Sequence, residues 1–378
     1  MKILYLTTAI ADSEYTRLLN EGYILNNPSN QNFHDKLIRA LSLEDQVDVL
    51  SFLPSSCKDV PLKDEGQYHY INSKGQFLDR LGAKKRRGIA KGKCLRKNGI
   101  DIILFDSLNR ACGSVALALA KKAKVPAVAI ITDNPKNLAK TPYFYQKAFQ
   151  KHLKGAKGSL ALSEGLLSAV AMAKKPHLVF AGIVEEPKGE KRLYPAGSYL
   201  YFGGALLARY GVLNLLEAYN ETQPDYDLVI AGHETSNEQF EILLKKNPRI
   251  HFLGQVSKME NYDLESHAAL LINPRPYDSK LDQESIPSKL LEYLATSSPI
   301  VSTLHSALQK EFPTDVNWLS DSSETGIKEF FLSHLDYEKR FVNIRENNGK
   351  KKVVTQYGLE AIGKEVHAFL QLLKTSTN

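Results

Sequence analysis

Short apolar runs that alternate with helix-period segments constrain this chain more than any other feature. "KILYLTTA", "QVDVLSFL", "DIILFDS", "PAVAIITD", "GSLALS" and "HLVFAG" succeed one another through the first half, each followed by an amphipathic or turn segment. A charged, Pro- and Gly-containing stretch at 184–198 interrupts the pattern. It then restarts with "YLYFGG", "YDLVIAG", "RIHFLGQ", "AALLINP", "PIVST" and "VNWLS". This alternation predicts parallel strands joined by crossover helices. At 378 residues the chain also exceeds what one ordinary core supports. The expected fold is α/β, with two doubly wound domains at 1–190 and 195–358. The last amphipathic segment, 359–374, is expected to cross back, so that 359–378 packs on the first domain. Two such domains place a cleft between the carboxyl ends of their sheets, where doubly wound folds bind ligands.

Several function classes are set aside early. No apolar run approaches the ~18 residues of a membrane-spanning helix. The opening "MKILYLTTAIADSEY" reads as a buried strand rather than a signal peptide. Cys57, Cys94 and Cys112 form no C-x-x-C pair, so neither a disulfide framework nor a zinc site is expected, and a reducing cytoplasm fits best. Residues 1–190 carry 29 Lys/Arg against 18 Asp/Glu, while 191–378 carry 20 against 24, so the halves face different partners.

The stretch "DQESIPSKLLEYLATSSPIVS" holds Glu284 and Glu292, eight positions apart. Glu292 lies within an apolar run, where an unpartnered carboxylate is costly. The spacing predicts a loop through "RPYDSKLDQES" and a helix over "IPSKLLEYLATSS", with Pro287 in its first turn. Ser285, Ser288, Lys289 and Glu292 then share the polar side, and Leu290, Leu291 and Leu294 face the core. A carboxylate there can accept two hydrogen bonds from a vicinal diol such as a ribose, and Lys289 with the helix start offers donors to a diphosphate. The plainer reading has Glu292 capping an amide or pairing with Lys289 or Lys352.

This segment resembles the E-x7-E signature of retaining GT-B glycosyltransferases of family 4. "SIPSKLLEYLATSSPIVS" is similar to the Ser-Phe-Pro-Ser-Lys-x-x-Glu-Tyr variant of bacterial polysaccharide and cell-envelope members, with Ile286 replacing Phe. The resemblance implies a GT-B fold, two Rossmann-like domains facing a central cleft. It implies that Glu292 binds the ribose of a nucleotide sugar and Glu284 contacts the donor sugar, with Ile286, Pro287, Ser288 and Lys289 completing that part of the donor site.

"YLYFGGALLARYGVLNLLEAY" resembles the family's strand, glycine, basic loop and helix, with Gly204 and Gly211 at its glycines. Ala205 and Tyr210 stand where many members have Arg and Lys. Arg209 is left as the loop's cation, and with Lys289 it forms the expected diphosphate clamp, unless it is simply a solvated residue at a helix start. Gly232 and His233 end one strand and are candidate donor contacts; Asn273 and Arg275 end another and aim at the same cleft, where Arg275 is a candidate contact to donor or acceptor. Arg275 has the alternative of pairing with Asp278 or Asp282, and a lone His is more often structural. In the first domain, Asn30, Gln31 and Asn32 open a helix where relatives carry a Gly-Gly loop, and are taken as acceptor-side groups. Asp133, at the end of "AIITD", is a candidate helper near the acceptor, or else a cap of the next turn.

No metal or other cofactor is expected. Asp225 and Asp227 in "PDYD" precede their strand and read as turn residues, and fixed cations can stabilise a leaving diphosphate. The basic runs Lys84 to Lys97 and Lys147 to Lys154, with Tyr145 and Phe149, could attract an anionic membrane, or be a solvated face beside an ordinary amphipathic helix. No nucleic-acid motif accompanies them. The expected activity is metal-independent, retaining transfer of a hexose from a nucleotide-diphosphate sugar to a glycan or lipid-linked hydroxyl, in surface polysaccharide or cell-envelope synthesis. Cytoplasmic location is expected, peripheral at the inner face of the membrane. The rivals are a sugar-nucleotide epimerase of the same fold and a non-catalytic partner subunit.

Overall fold

The computed structural model describes residues 1–378 apart from 24–27, 54–61, 75–78, 80–81, 97–98, 138–140, 187–193, 195–197, 234–237 and 377–378. Cys57, Lys97 and most of the 184–198 linker lie outside the described residues. The chain divides into two compact units. The first comprises Met1–Ile183, Glu284–Ile286 and Leu359–Asn378, and the second Val184–Gln283 and Pro287–Gly358.

The first unit is built on β1 (Lys2–Thr7), β2 (Gln46–Phe52), β3 (Tyr68–Ile71), β4 (Ile102–Asp106), β5 (Ala127–Ile131), β6 (Gly158–Ala161) and β7 (His177–Val179). These pair in parallel in the order β3-β2-β1-β4-β5-β6-β7. The central strands β4 and β5 are buried at every residue, as a sheet covered on both faces demands, which is why they read as unbroken apolar runs. β3 has no such signature. Its four residues, "YHYI", include the half-buried His69 and sit among polar turn residues, so the sequence pattern passes over it.

The helices among the described residues here are α1 (Asp12–Asn20), α2 (Pro28–Ser42), α3 (Ala83–Leu95), α4 (Arg110–Ala123), α5 (Tyr143–Gly155) and α6 (Glu164–Ala169). Between Ile10 and Gln31, the described residues include all of α1 and the start of α2. Leu18 anchors α1, and Arg17 bridges Glu14 and Glu21 at helical spacing, both at 2.7 Å.

The second unit holds β8 (Tyr199–Gly203), β9 (Asp227–Ala231), β10 (Ile250–Phe252), β11 (Leu270–Asn273), β12 (Ile300–Thr303) and β13 (Asn317–Leu319), all parallel in the order β10-β9-β8-β11-β12-β13. Strand order reverses between β8 and β11, which makes their carboxyl ends the switch point of this sheet. Its helices are α7 (Val212–Thr222), α8 (Glu238–Lys245), α9 (Lys258–His267), α10 (Ser279–Glu284, whose last residue groups with the first unit), α11 (Ser288–Leu294), α12 (Ser306–Glu311), α13 (Glu324–His334) and α14 (Lys350–Tyr357).

The last helix, α15 (Leu359–Thr375), belongs to the first unit and packs on α2. It buries Ile362, Gly363, Val366, Leu370 and Leu373, and His367 Nδ1 lies 2.9 Å from the Asp45 carboxylate. A Cβ on Gly363 would stand 2.4 Å from the Ala40 carbonyl oxygen, so the two helices meet backbone to backbone. Gly363→Ala is therefore expected to cost about 2 kcal/mol by overpacking. Urea unfolding measures it, and an unchanged midpoint would mean that α15 can shift on α2 without loss.

Candidate functional site

The carboxyl ends of β8, β9 and β11 converge in the second unit, and glycines let them do so. Gly232, after β9, has φ +153°, and a Cβ on it would fall 1.7 Å from the Gly204 carbonyl oxygen after β8. Gly211 has φ +80°, and its Cβ would fall 1.9 Å from the carbonyl oxygen of Pro274, just past β11. Only glycine meets both demands at these places. The loops after β8 and β11 are thereby pressed together at the switch point.

Two guanidinium groups collect there. A short 3-10 turn, Ala208–Tyr210, carries Arg209, whose guanidinium lies 5.1 Å from the centre of the Tyr210 ring. Arg275 reaches the same ring at 5.8 Å. Arg275 pairs with neither Asp278 nor Asp282 among the described residues. Asp278 instead accepts from the Lys280 and Leu281 amides at 2.9 Å, and Asp282 from the Ser306 amide at 2.8 Å. Tyr210, which stands where the family pattern has a cation, is thus a platform for two of them. Arg209 and His233 are exposed, and Arg275 is half-buried. Asn273, expected to aim at the cleft, is buried, and its amide donates to Ser302 Oγ at 2.8 Å.

The segment around Glu284 and Glu292 differs in two ways from its sequence reading. "SKLDQE" is helical rather than loop, because Asp278 caps the amides that open α10. The following helix, α11, is only Ser288–Leu294, with Pro287 as its N-cap rather than inside it. The division of its faces follows the expectation: Leu290, Leu291, Tyr293 and Leu294 are buried, Ser288 is exposed, and Lys289 and Glu292 are half-buried. Ile286 is half-buried and Pro287 buried.

Glu292 is partnered. Lys289 Nζ lies 3.1 Å from Glu292 Oε2, and on its other side 3.2 Å from Oε1 of Glu265 on α9. Lys352 bonds to the Glu311 carbonyl oxygen instead. Glu265 has no solvent exposure, whereas Lys289 keeps 30% of its side chain exposed. Asn261 donates to Glu265 Oε1 at 2.7 Å and accepts from the Tyr201 hydroxyl at 2.9 Å, while the Tyr293 hydroxyl accepts from the Gly203 amide at 3.1 Å. These bonds tie α9 and α11 to β8. Burial raises the pKa of Glu265, opposed by Lys289 and reinforced by Glu292. For Lys289 burial works downward, but the two carboxylates outweigh it and hold the ammonium well above its ordinary value. One cation therefore serves two acids, and α11 alone does not supply spare positive charge for a diphosphate. Glu265 and Asn261 were invisible in the sequence, since the polar segment "KMENYDLESH" gives no sign of which acid is buried.

In the first unit, Glu284 is buried, and its Oε2 accepts from Asn134 Nδ2 at 3.0 Å and Asn137 Nδ2 at 2.8 Å. Asp133 caps the turn after β5, accepting from the Asn134 amide at 2.7 Å. Its two asparagine neighbours, not Asp133 itself, supply the bonds to Glu284. Among the residues opening α2, Gln31 is buried and spends its amide on the Ile10 backbone, at 2.6 Å to the carbonyl and 3.0 Å from the amide. It is a structural brace rather than an exposed ligand group. Asn30 donates to Thr8 Oγ1 at 2.9 Å, and Asn32 is half-buried. Asp225 and Asp227 are held by Arg249, each at 3.0 Å, and Asp227 also by His251.

Residues 183–351 match the sequence model of the family described as glycosyl transferases group 1. No curated protein matches the chain. Among solved structures, sucrose-phosphate synthase from Thermosynechococcus elongatus aligns with a TM-score of 0.69 at 14% identity, covering 100% of both chains. Anabaena Alr3699/HepE, solved in complex with UDP and glucose, aligns at 0.63 and 13% identity over 98% of this chain and 100% of its own. UDP-GlcNAc 2-epimerase from Neisseria meningitidis, bound to UDP-GlcNAc, aligns at 0.57 and 13% identity over 98% of this chain and 100% of its own. The fold, two Rossmann-like units with parallel sheets, is the GT-B fold. With the group 1 match over its second unit, the chain is an enzyme of the transferase class.

Proposed function

We propose that the chain transfers a hexose from a nucleotide-diphosphate sugar to the hydroxyl of a glycan or lipid-linked acceptor, with retention and without a metal. The observation that carries this reading is the pair of guanidiniums, Arg209 and Arg275, gathered on Tyr210 at the β8/β11 switch point. Preorganised cations at that place suit a diphosphate that gains charge as it leaves. Lys289 takes a different part from the clamp expected of it: paired with Glu265 and Glu292, it holds the Glu292 carboxylate in place to accept both hydroxyls of a ribose. Gly204, Gly232 and His233 border the phosphates and sugar. Glu284 orients the donor sugar. As the bond from the anomeric carbon to the diphosphate breaks, the acceptor oxygen bonds to the same face of that carbon. Its proton passes to the departing phosphate oxygen, with Asp133 as helper. Surface polysaccharide or cell-envelope glycan synthesis is the setting proposed.

UDP, GDP and ADP, each with and without magnesium, test this by thermal shift. One nucleoside diphosphate is expected to raise the melting temperature by roughly 5 °C at a hundredfold excess over its Kd, independently of magnesium. Glu292→Gln should lower kcat/KM for the matching nucleotide sugar by about 100-fold, since a ribose diol loses one anionic acceptor. No shift with any nucleotide would sink the reading. Turnover of the nucleotide sugar without an acceptor, with solvent deuterium entering the sugar, would establish the epimerase reading instead.

A further inference from the structure

Three neighbouring helices of the first unit contain no acidic residue. α3, α4 and α5 carry six, three and three Lys/Arg respectively and no Asp or Glu. They pack side by side, α3 on α4 and α4 on α5, over the core formed by Phe52, Val115, Leu119, Phe149 and Leu153. Gly88 and Gly92 bring α3 close in, against Phe52 and Leu119. The result is a broad helical layer with a single sign of charge.

Some of these cations are neutralised from outside the layer: Lys84 and Arg87 by Asp79, Lys91 by Asp64. Others have no carboxylate partner among the described residues and are pressed on each other. Lys93 crowds Lys122, and its charge and hydrogen bond, followed by burial and then the charge of Arg96, lower the Lys122 pKa. Lys85, Arg110 and Lys151, one from each helix, all bear on the buried His152; burial and then these charges push its imidazole down to about 4. Folding gains nothing from bringing like charges together, so the arrangement fits a binding partner better than a structural role.

Two exposed aromatics stand at the edge of the same layer. Tyr143 and Phe144 open α5, 78% and 60% exposed, and the Arg110 guanidinium lies 5.3 Å from the Phe144 ring centre. Adjacent large rings beside cations match the depth profile of a lipid surface, with rings at the head-group level and charges against the phosphates.

We propose that this layer is a docking face for an anionic lipid bilayer, with Tyr143 and Phe144 entering the interface and the cations of α3, α4 and α5 lying over the head groups. The charges extend across three helices rather than along one strand-wide track, which favours a planar polyanion over a polynucleotide. The inference is independent of the transferase reading: nucleotide binding can fail and the vesicle result still stand.

Flotation of the full chain with vesicles tests it. Binding is expected to vesicles of phosphatidylcholine with about one-third phosphatidylglycerol, not to phosphatidylcholine alone, and to fall at least tenfold between about 0.1 and 0.5 M salt. The variant Lys93→Glu/Lys122→Glu/Lys151→Glu should lose at least about 150-fold in vesicle affinity, since three cations are lost and three anions added, and Tyr143→Ser/Phe144→Ser about tenfold. Both sets of positions are exposed, and circular dichroism with thermal melting confirms that each variant folds. A milder Lys147→Ala/Lys151→Ala change, with an expected loss of about 25-fold, serves if charge reversal prevents folding. Equal binding to neutral vesicles, binding unaffected by the charge changes, or no binding at all overturns the proposal. So does a single-stranded oligonucleotide that binds more tightly than the anionic vesicles and is lost with the same substitutions.

Discussion

Lys289→Met is expected to destabilise the second unit by about 3 kcal/mol at pH 7, because it strands a fully buried carboxylate. Glu265 has Asn261 as its other partner on Oε1, and its Oε2 has none among the described residues. The dependence on pH has a definite sign. Burial raises the Glu265 pKa above the ordinary 4.5, and without Lys289 it rises further. In the variant the folded chain therefore holds a proton that the unfolded chain has released. The defect should be small below pH 4.5 and grow as pH rises through the folded-state value. Lys289→Met/Glu265→Gln should recover most of the loss, since glutamine keeps an acceptor for Asn261 and removes the charge. Urea unfolding of the four proteins in that cycle measures it, and a coupling below about 1 kcal/mol would show that the two residues act separately.

Gly211→Ala is expected to cost about 3 kcal/mol and to abolish the thermal shift given by the nucleotide. The added carbon meets a backbone carbonyl oxygen, which cannot rotate away as a side chain could, and φ +80° is strained for alanine in any case. Relief requires the turn that carries Arg209 and Tyr210 to move off the β11 loop, separating the two guanidiniums. Gly22→Ala is the control. Gly22 has a similar φ, +72°, but nothing within 4 Å of the added carbon, so it should cost only about 1 kcal/mol. Equal losses at the two positions would mean that backbone strain alone, and not the approach of the Pro274 carbonyl, is what Gly211 relieves.

Both predictions turn on residues whose importance was unequally visible beforehand. Gly211 and Lys289 could be singled out by their place in a motif. Glu265 could not, because a helix such as α9 carries several acids and its own pattern does not say which one is covered. The same limit explains Arg275, whose competing partners, Asp278 and Asp282, are nearer in sequence than Tyr210. These acids were claimed instead by amides at the starts of α10 and α12. Gln31 shows the reverse error. Its polar side chain at a helix start suggested a ligand group, whereas two bonds to Ile10 consume it.

By itself the sequence determined the parallel α/β architecture, since alternating apolar runs and amphipathic segments have few other ways to bury their faces. It also determined the sided character of α11, because a helical period settles which residues point inward. The short β3, the pairing of buried Glu265 with Lys289 and the meeting of Arg209 with Arg275 were decided only by tertiary structure. A local pattern encodes which face of an element is buried. Which polar groups then satisfy one another depends on distances between segments far apart in the chain, and those exist only once the sheets have assembled.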